Sequence, residues 1–246
     1  IKKCQSYKQT FPVLDSWRKK VDQFVDSYYF FDQISDFTPN NTQYVLANGT
    51  ACVSSYQTLK IFNDQQVIVN SGCASMGYAL PASLGASLAN RNKTTVCVTG
   101  DGSIMMNIQE LQTIIHYELP IKIFIFNNNG YISIRNTQNN FFDGLKVGSD
   151  PDSGISMPDF KKIAIAFGFK FFKINNNSEL SSSLQAIFSY NGPTICELTL
   201  DPMEKMEPKL SSRILEDGKM LSCPLEDLYP FIDRKLFNEQ MIIKTI

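Results

Sequence analysis

Two short apolar runs constrain the fold of this 246-residue chain more than any other feature. "TTVCVTG", ending at Gly100, and "IKIFIF", running into the asparagines from Asn127, are rich in β-branched and aromatic side chains. They are too short for helices and leave almost no polar positions for a wet face, which is the pattern of strands buried on both sides. Between them, "NIQELQTIIHYEL" places Ile108, Leu111, Ile114, Ile115 and Leu119 near helical period. Its Asn107 and Glu110 stand in the N-x-x-E arrangement that predicts a capping box.

The same alternation runs along most of the chain. "TQYVLANGT" and "QVIVNSGCASMGYALPASLGASLA" each hold a strand-like run broken by Asn, Gly or Ser, and the second flows into a helix of small residues. "PDFKKIAIAFG" predicts a helix stopped by Gly168, "FKFFKI" a strand, "SELSSSLQAIFSY" a helix and "PTICELTL" a last strand. The first 35 residues, with "SWRKKVDQFVDSYYFFDQI", predict amphipathic helix. Strands alternating with helices require right-handed crossovers, so the expected fold is α/β, with an open, mostly parallel sheet covered by helices on both faces.

Charge and composition remove several classes of function. With 23 Lys and Arg against 24 Asp and Glu and no basic block, the footprint of a nucleic-acid binder is missing. No apolar stretch approaches the roughly 20 residues needed to span a bilayer, and "IKKCQSYKQT" lacks a signal-like core, so no membrane partner and a cytoplasmic location are expected. The six cysteines, at 4, 52, 73, 97, 196 and 223, form no C-x-x-C pair and are expected to be reduced and mostly buried. The single histidine, His116, has no obvious partner, which argues against a Ser-His or Cys-His nucleophile.

Open parallel sheets bind ligands beyond the carboxyl ends of their strands. Asp101 follows one buried run and Asn127 to Asn129 follow the next, with a single crossover between. Asp101 offers an anionic oxygen, Asn128 a neutral carbonyl oxygen and Gly130 an unhindered main-chain carbonyl, a set suited to Mg²⁺ completed by phosphate and water. Gly100 and Gly102 let main-chain N–H groups approach those phosphates. Taken singly, "GDG" and "NNNG" are also ordinary turn sequences.

The spacing of GDG and NN resembles the cofactor signature of the thiamine diphosphate (ThDP) enzymes. "SGCASMGYALPASLGA", "GDGSIMMNIQELQT", "LPIKIFIFNNNGY" and "FKKIAIAFG" resemble the C-terminal diphosphate-binding domain of acetolactate synthase and its relatives. "ANGTACVSSYQ", "GYISIRNTQNNFF" and "PKLSSRILEDGKMLSCPLEDLYPFI" are most similar to acetolactate synthase-like proteins of nucleotide-sugar and surface-polysaccharide pathways. The resemblance implies Asp101, Asn128 and the Gly130 carbonyl as Mg²⁺ ligands, with Gly102 and Ser103 holding the diphosphate and Asn48, Gly49 and Thr50 adding contacts. Met76 matches the apolar residue that props the cofactor in its bent conformation, and Ala74 stands where a main-chain carbonyl, often of glycine, accepts from the 4′-amino group. Ser75, Gly100, Tyr131 and Ile132 fall on the same implied cofactor face.

The implied chemistry is decarboxylation of a 2-oxo acid, pyruvate by analogy, and ligation of the resulting enamine to a carbonyl acceptor, carried by the cofactor. In this family a glutamate on a separate pyrimidine-binding domain activates the cofactor. Such a domain is expected to lie outside these 246 residues, and Glu110, in the helix after GDG, reads as a cap. The chain is therefore expected to be the C-terminal part of a longer or split enzyme, partnered by a pyrimidine-binding domain of the same or another chain, as a homodimer or homotetramer. Residues 1–35 would end a middle domain, 36–200 form the ThDP domain and 201–246 an extension; FAD would belong to the middle domain. The segment from Arg135 to Gly154 reads as a loop for acceptor selectivity. Two other readings stay open: the ThDP-binding subunit of a 2-oxoacid oxidoreductase, and a non-catalytic fragment acting as an interaction module.

Overall fold

Short apolar runs become strands where expected. In chain order the elements are helices α1 (Lys2–Thr10), α2 (Ser16–Lys19) and α3 (Ser27–Phe37), strand β1 (Gln43–Leu46), α4 (Thr50–Thr58), β2 (Gln66–Val69), α5 (Ala79–Ala89) and β3 (Thr95–Gly100). There follow α6 (Asp101–Ile104), α7 (Glu110–His116), β4 (Lys122–Asn127), α8 (Ile132–Phe141), α9 (Phe160–Phe167), β5 (Lys170–Ile174), α10 (Leu180–Ser189) and β6 (Thr194–Thr199). The computed structural model describes residues 1–14, 16–62, 64–214 and 219–242. The chain divides into two compact units, Ile1–Glu204 and Lys205–Ile246.

In the larger unit all six strands run parallel in the order β2-β1-β3-β4-β6-β5. The expected α/β class holds. The central strands β1, β3, β4 and β6 are buried almost throughout, as apolar runs covered on both faces must be, whereas the edge strands β2 and β5 are partly exposed. Lys170 and Lys173 sit on the β5 edge, a common guard against further strand pairing. Helices α3, α4 and α10 pack together over one face, and α5, α7 and α9 over the other. Phe30 and Phe31 of α3 anchor the first face: ring centroids lie 5.2 Å from Phe30 to Phe124, and 5.3 and 5.7 Å from Phe126 to Phe30 and Phe31. Each such fully buried Phe contributes about 1.5–3 kcal/mol. Among the described residues no helix is long and apolar enough to cross a membrane.

The continuous amphipathic helix expected over "SWRKKVDQFVDSYYFFDQI" does not form; it is divided into α2 and α3. Asp26 is the reason. Its carboxylate accepts the N–H groups of Tyr28 and Tyr29 and so starts α3 there, while the preceding Val25 lies extended beside Leu200 and donates its N–H to Thr199. Of the six cysteines only Cys97, Cys196 and Cys223 are buried; Cys4 and Cys73 are exposed, so the expectation of mostly buried thiols is half met. All six are free.

A buried polar cluster secures the break. Arg18 pairs with Asp26 at 2.9 Å, Asn177 accepts from the Asp26 N–H and donates to the Arg18 carbonyl, and Glu204 accepts the Ser27 N–H at 2.8 Å. Burial, helped by the neighbouring Asp26 charge, pushes the Glu204 carboxyl from its ordinary 4.5 up to about 8. Between those values the folded chain keeps a proton that the unfolded chain has released, so this group's stabilisation falls as pH rises, by at most about 1.4 kcal/mol per pH unit. Glu204→Gln retains the acceptor without the charge and is expected to flatten the decline in urea-unfolding free energy between about pH 5 and about pH 8. An equal slope in wild type and variant would assign the decline to other groups.

The smaller unit, Lys205–Ile246, holds an antiparallel pair, β7 (Ser212–Ile214) with β8 (Met220–Ser222), and helix α11 (Arg234–Gln240). Arg234 grips the buried Asp227 carboxylate through two bonds of 2.8 and 2.9 Å.

Candidate functional site

The register of the sheet brings the expected residues together. Gly100 pairs with Phe126, so β3 and β4 end level and Asp101 leaves the sheet beside the loop from Asn127. From β1 the chain goes on to β2 at one side, and from β3 to β4 at the other, which makes the gap between β1 and β3 the topological switch point. A cleft of about 170 Å³ opens there. Asn48, Gly49 and Thr50 line it from the β1 end, Gly100, Asp101, Gly102 and Ser103 from the β3 end, and Asn128, Gly130, Tyr131 and Ile132 from the β4 end, with Met76 alongside. Ala74 and Ser75 are not among its lining residues and lie in the exposed segment leading to Met76. Glu110 is also outside it.

Asp101 is only 1 % exposed. Its Oδ1 accepts the Gly102 N–H at 2.7 Å and its Oδ2 the Gly130 N–H at 2.9 Å, so one carboxylate joins the two loops. Burial pushes this carboxyl up to about 6, against the pull of those amides and of the Arg135 charge. A divalent cation at its side would favour the ionised form. The side-chain oxygen of Asn128 is buried and, among the described residues, has no hydrogen-bond partner. An orphaned buried acceptor costs about 1–3 kcal/mol, a cost that a ligand removes. The described residues contain no group of three His, Cys, Asp or Glu side chains that could hold a metal. A cation here would lean on one carboxylate, neutral oxygens and its ligand's own oxygens, which is the habit of Mg²⁺.

The three asparagines have separate tasks. Asn127 donates to Glu197 at 2.8 Å and accepts the Asn129 N–H, bracing the turn; Asn128 faces the cleft; Asn129 takes a left-handed φ of 60°. Gly102 is demanded by contact, since a Cβ there would stand 2.1 Å from the Tyr131 ring.

Two tethers were not legible as such. The Gly77 N–H donates to Ser103 Oγ at 3.0 Å, and Asn107 donates to the Gly77 carbonyl at 2.9 Å, so the turn after Met76 is tied to the segment after Asp101. The capping box expected of Asn107 and Glu110 does not form: the N-cap of α7 is Gln109, without a side-chain cap, and Glu110 accepts from Thr113. Residues 105–107 continue as a 3₁₀ turn and Asn107 is drawn off to Gly77. Ala74 has φ 49°, a left-handed conformation that costs a non-glycine residue about 1–2 kcal/mol and that glycine adopts freely. The expected loop from Arg135 to Gly154 begins instead as the body of α8.

Known proteins resemble this chain in sequence and in fold. The family described as "Thiamine pyrophosphate enzyme, C-terminal TPP binding domain" matches residues 47–198. The large subunit of acetolactate synthase from Pyropia yezoensis is 38% identical over 157 residues, 64% of this chain and 26% of that protein. The isozyme 2 large subunit of Escherichia coli (strain K12) is 31% identical over 196 residues, 78% of this chain and 35% of the relative. The large subunit from Haemophilus influenzae is 33% identical over 229 residues, 87% and 39% respectively. The chain thus spans between about a quarter and two-fifths of these relatives. Among solved structures, the Rhodococcus jostii RHA1 thiamine diphosphate-dependent 4-hydroxybenzoylformate decarboxylase shares the fold with a TM-score of 0.64 at 21% identity, over 73% of this chain and 33% of that one.

Proposed function

Because the chain belongs to the acetolactate synthase-like thiamine pyrophosphate enzymes, whose C-terminal TPP-binding domain it contains, we propose that its cleft anchors the diphosphate of ThDP through Mg²⁺. Asp101 and the side-chain oxygen of Asn128 are the proposed side-chain ligands, with the Gly130 carbonyl as the main-chain one. Gly102 and Ser103 face the diphosphate, Asn48, Gly49 and Thr50 close the cleft from the β1 end, and Met76 supports the cofactor's bend. Ala74 and Ser75 would meet the pyrimidine end, outside the cleft itself. The observation that carries this reading is the buried Asn128 oxygen, without a hydrogen-bond partner among the described residues, in the same cleft as the buried Asp101 carboxylate.

When bound, ThDP supplies the carbanion chemistry by which a 2-oxo acid loses CO₂ and its remainder joins a carbonyl acceptor. This chain's residues bind and orient the cofactor; a pyrimidine-binding domain of the same or another chain is the proposed source of the activating carboxylate. Calorimetric titration of the full chain with ThDP is expected to show binding in Mg²⁺ that is lost in EDTA. Absence of binding under both conditions, with a pyrimidine-binding domain supplied, would overturn the proposal.

A further inference from the structure

One side chain holds the loop that carries Asn128 and Gly130. Arg135, on the first turns of α8, is 2 % exposed. Its Nη1 donates to the carbonyls of Asn129 (3.1 Å) and Ser149 (2.9 Å), and its Nη2 to those of Asn128 (2.8 Å) and Pro202 (2.9 Å). The four Nη hydrogens of a guanidinium thus meet four main-chain oxygens from three separate segments, and only Nε–H lacks a partner among the described residues.

None of the four acceptors is charged. The charges of Asp150 and Asp101 act on the guanidinium from nearby, yet burial outweighs them, so the cluster is a poor source of net stability. What the arrangement does supply is shape. Asn129 (φ 60°) and Gly130 (φ 128°) are successive residues in left-handed backbone, and Arg135 collects the carbonyls of Asn128 and Asn129. The same turn points the Gly130 N–H at Asp101 and presents Asn128 to the cleft. Ser149 is a second tie: its carbonyl accepts both from Arg135 and from the Tyr131 N–H at 2.9 Å.

We propose that Arg135 is a positioning residue for the Mg²⁺–diphosphate site, setting the Asn128–Gly130 turn from beneath by binding its main-chain carbonyls. The inference rests on the ThDP reading of the cleft. Lysine is not an equivalent, since an ammonium has three hydrogens on one atom and cannot span four carbonyls.

The test is a ThDP titration of the full chain over a series of Mg²⁺ concentrations, in wild type, R135M and R135K. The half-saturating Mg²⁺ concentration is expected to rise about 10–100-fold in R135M, the range for residues that orient metal ligands, and by less in R135K. ThDP affinity at saturating Mg²⁺ is expected to stay unchanged, which general loosening of the fold would not allow. Should R135M fail to fold, R135K decides. A folded variant of either kind with the wild-type Mg²⁺ requirement overturns the role of Arg135. A wild type with no Mg²⁺-dependent binding overturns instead the ThDP reading beneath it.

Discussion

Asp101→Ala is expected to abolish Mg²⁺-dependent binding of ThDP. The substitution removes the proposed anionic ligand and, with it, the acceptor of two amides, those of Gly102 and Gly130, that hold the two loops in one arrangement. Contacts to charged groups are worth about 1.5–3 kcal/mol each, so loss of the ligand and of loop order together is expected to weaken binding by about 100-fold or more. The paired variant Asp101→Asn separates binding from folding. Burial already pushes this carboxyl up to about 6, which means that the ionised side chain is held at a cost to the fold. Asparagine removes that cost and keeps an acceptor for one amide. D101N is therefore expected to melt no lower than wild type while binding as poorly as D101A. Thermal unfolding measures the first property and calorimetric titration in saturating Mg²⁺ the second. Wild-type affinity in either variant would remove Asp101 from the ligand set.

Gly130→Ala is expected to be the most damaging single methyl in the site. Gly130 has φ 128°, and an added Cβ would lie 2.4 Å from the Ser149 carbonyl oxygen and 3.0 Å from Arg135 Nη1. The first is main chain and cannot swing aside. The second belongs to a guanidinium tied by four hydrogen bonds. Backbone strain of about 1–3 kcal/mol and overpacking of a similar size give an expected loss of roughly 2–5 kcal/mol in urea-unfolding free energy. Gly85→Ala is the internal comparison: Gly85 lies within α5, has open space around its Cβ position, and should become more stable by roughly 0.5–1 kcal/mol. The same added methyl should thus act with opposite signs at the two positions. If the turn opens to admit the methyl added at Gly130, the main-chain N–H at that position leaves Asp101, and ThDP binding is lost even where folding survives. A G130A variant as stable as wild type would show that the turn needs no left-handed residue.

The parts of the site that lie at strand ends were legible because short apolar runs and their terminating residues sit together in the chain. Gly100 and Asp101 end one run, Asn127 to Asn129 the next, and resemblance to the ThDP enzymes supplied Asn48, Gly49, Thr50 and Met76, whereas Ala51, Phe126, Ser133 and Ile134, which also line the cleft, were not foreseen. What escaped has a common cause. Asn107 has the spacing of a cap, but its amide is taken by Gly77, 30 residues earlier. Arg135 resembles any polar residue of an exposed helix, yet its guanidinium is enclosed by carbonyls up to 67 residues away. The division of the first helical segment depends on Asp26, which caps α3, and on Thr199, whose carbonyl receives the Val25 N–H. These are long-range contacts that leave no periodicity behind.

The sequence by itself determined the alternation of strands and helices, the parallel sheet and the two strand ends at which an oxygen-rich site could form. Runs without a polar face must be covered on both sides, and consecutive strands joined by helices must then lie parallel. Only the tertiary structure decided which oxygens meet. The register of β3 against β4 sets Asp101 level with the asparagine loop. The left-handed turn at Asn129 and Gly130, with Arg135 beneath it, selects Asn128 for the cleft while Asn127 braces the sheet. Such choices follow from where distant main-chain carbonyls and amides come to rest, and local residue preferences carry no record of those positions.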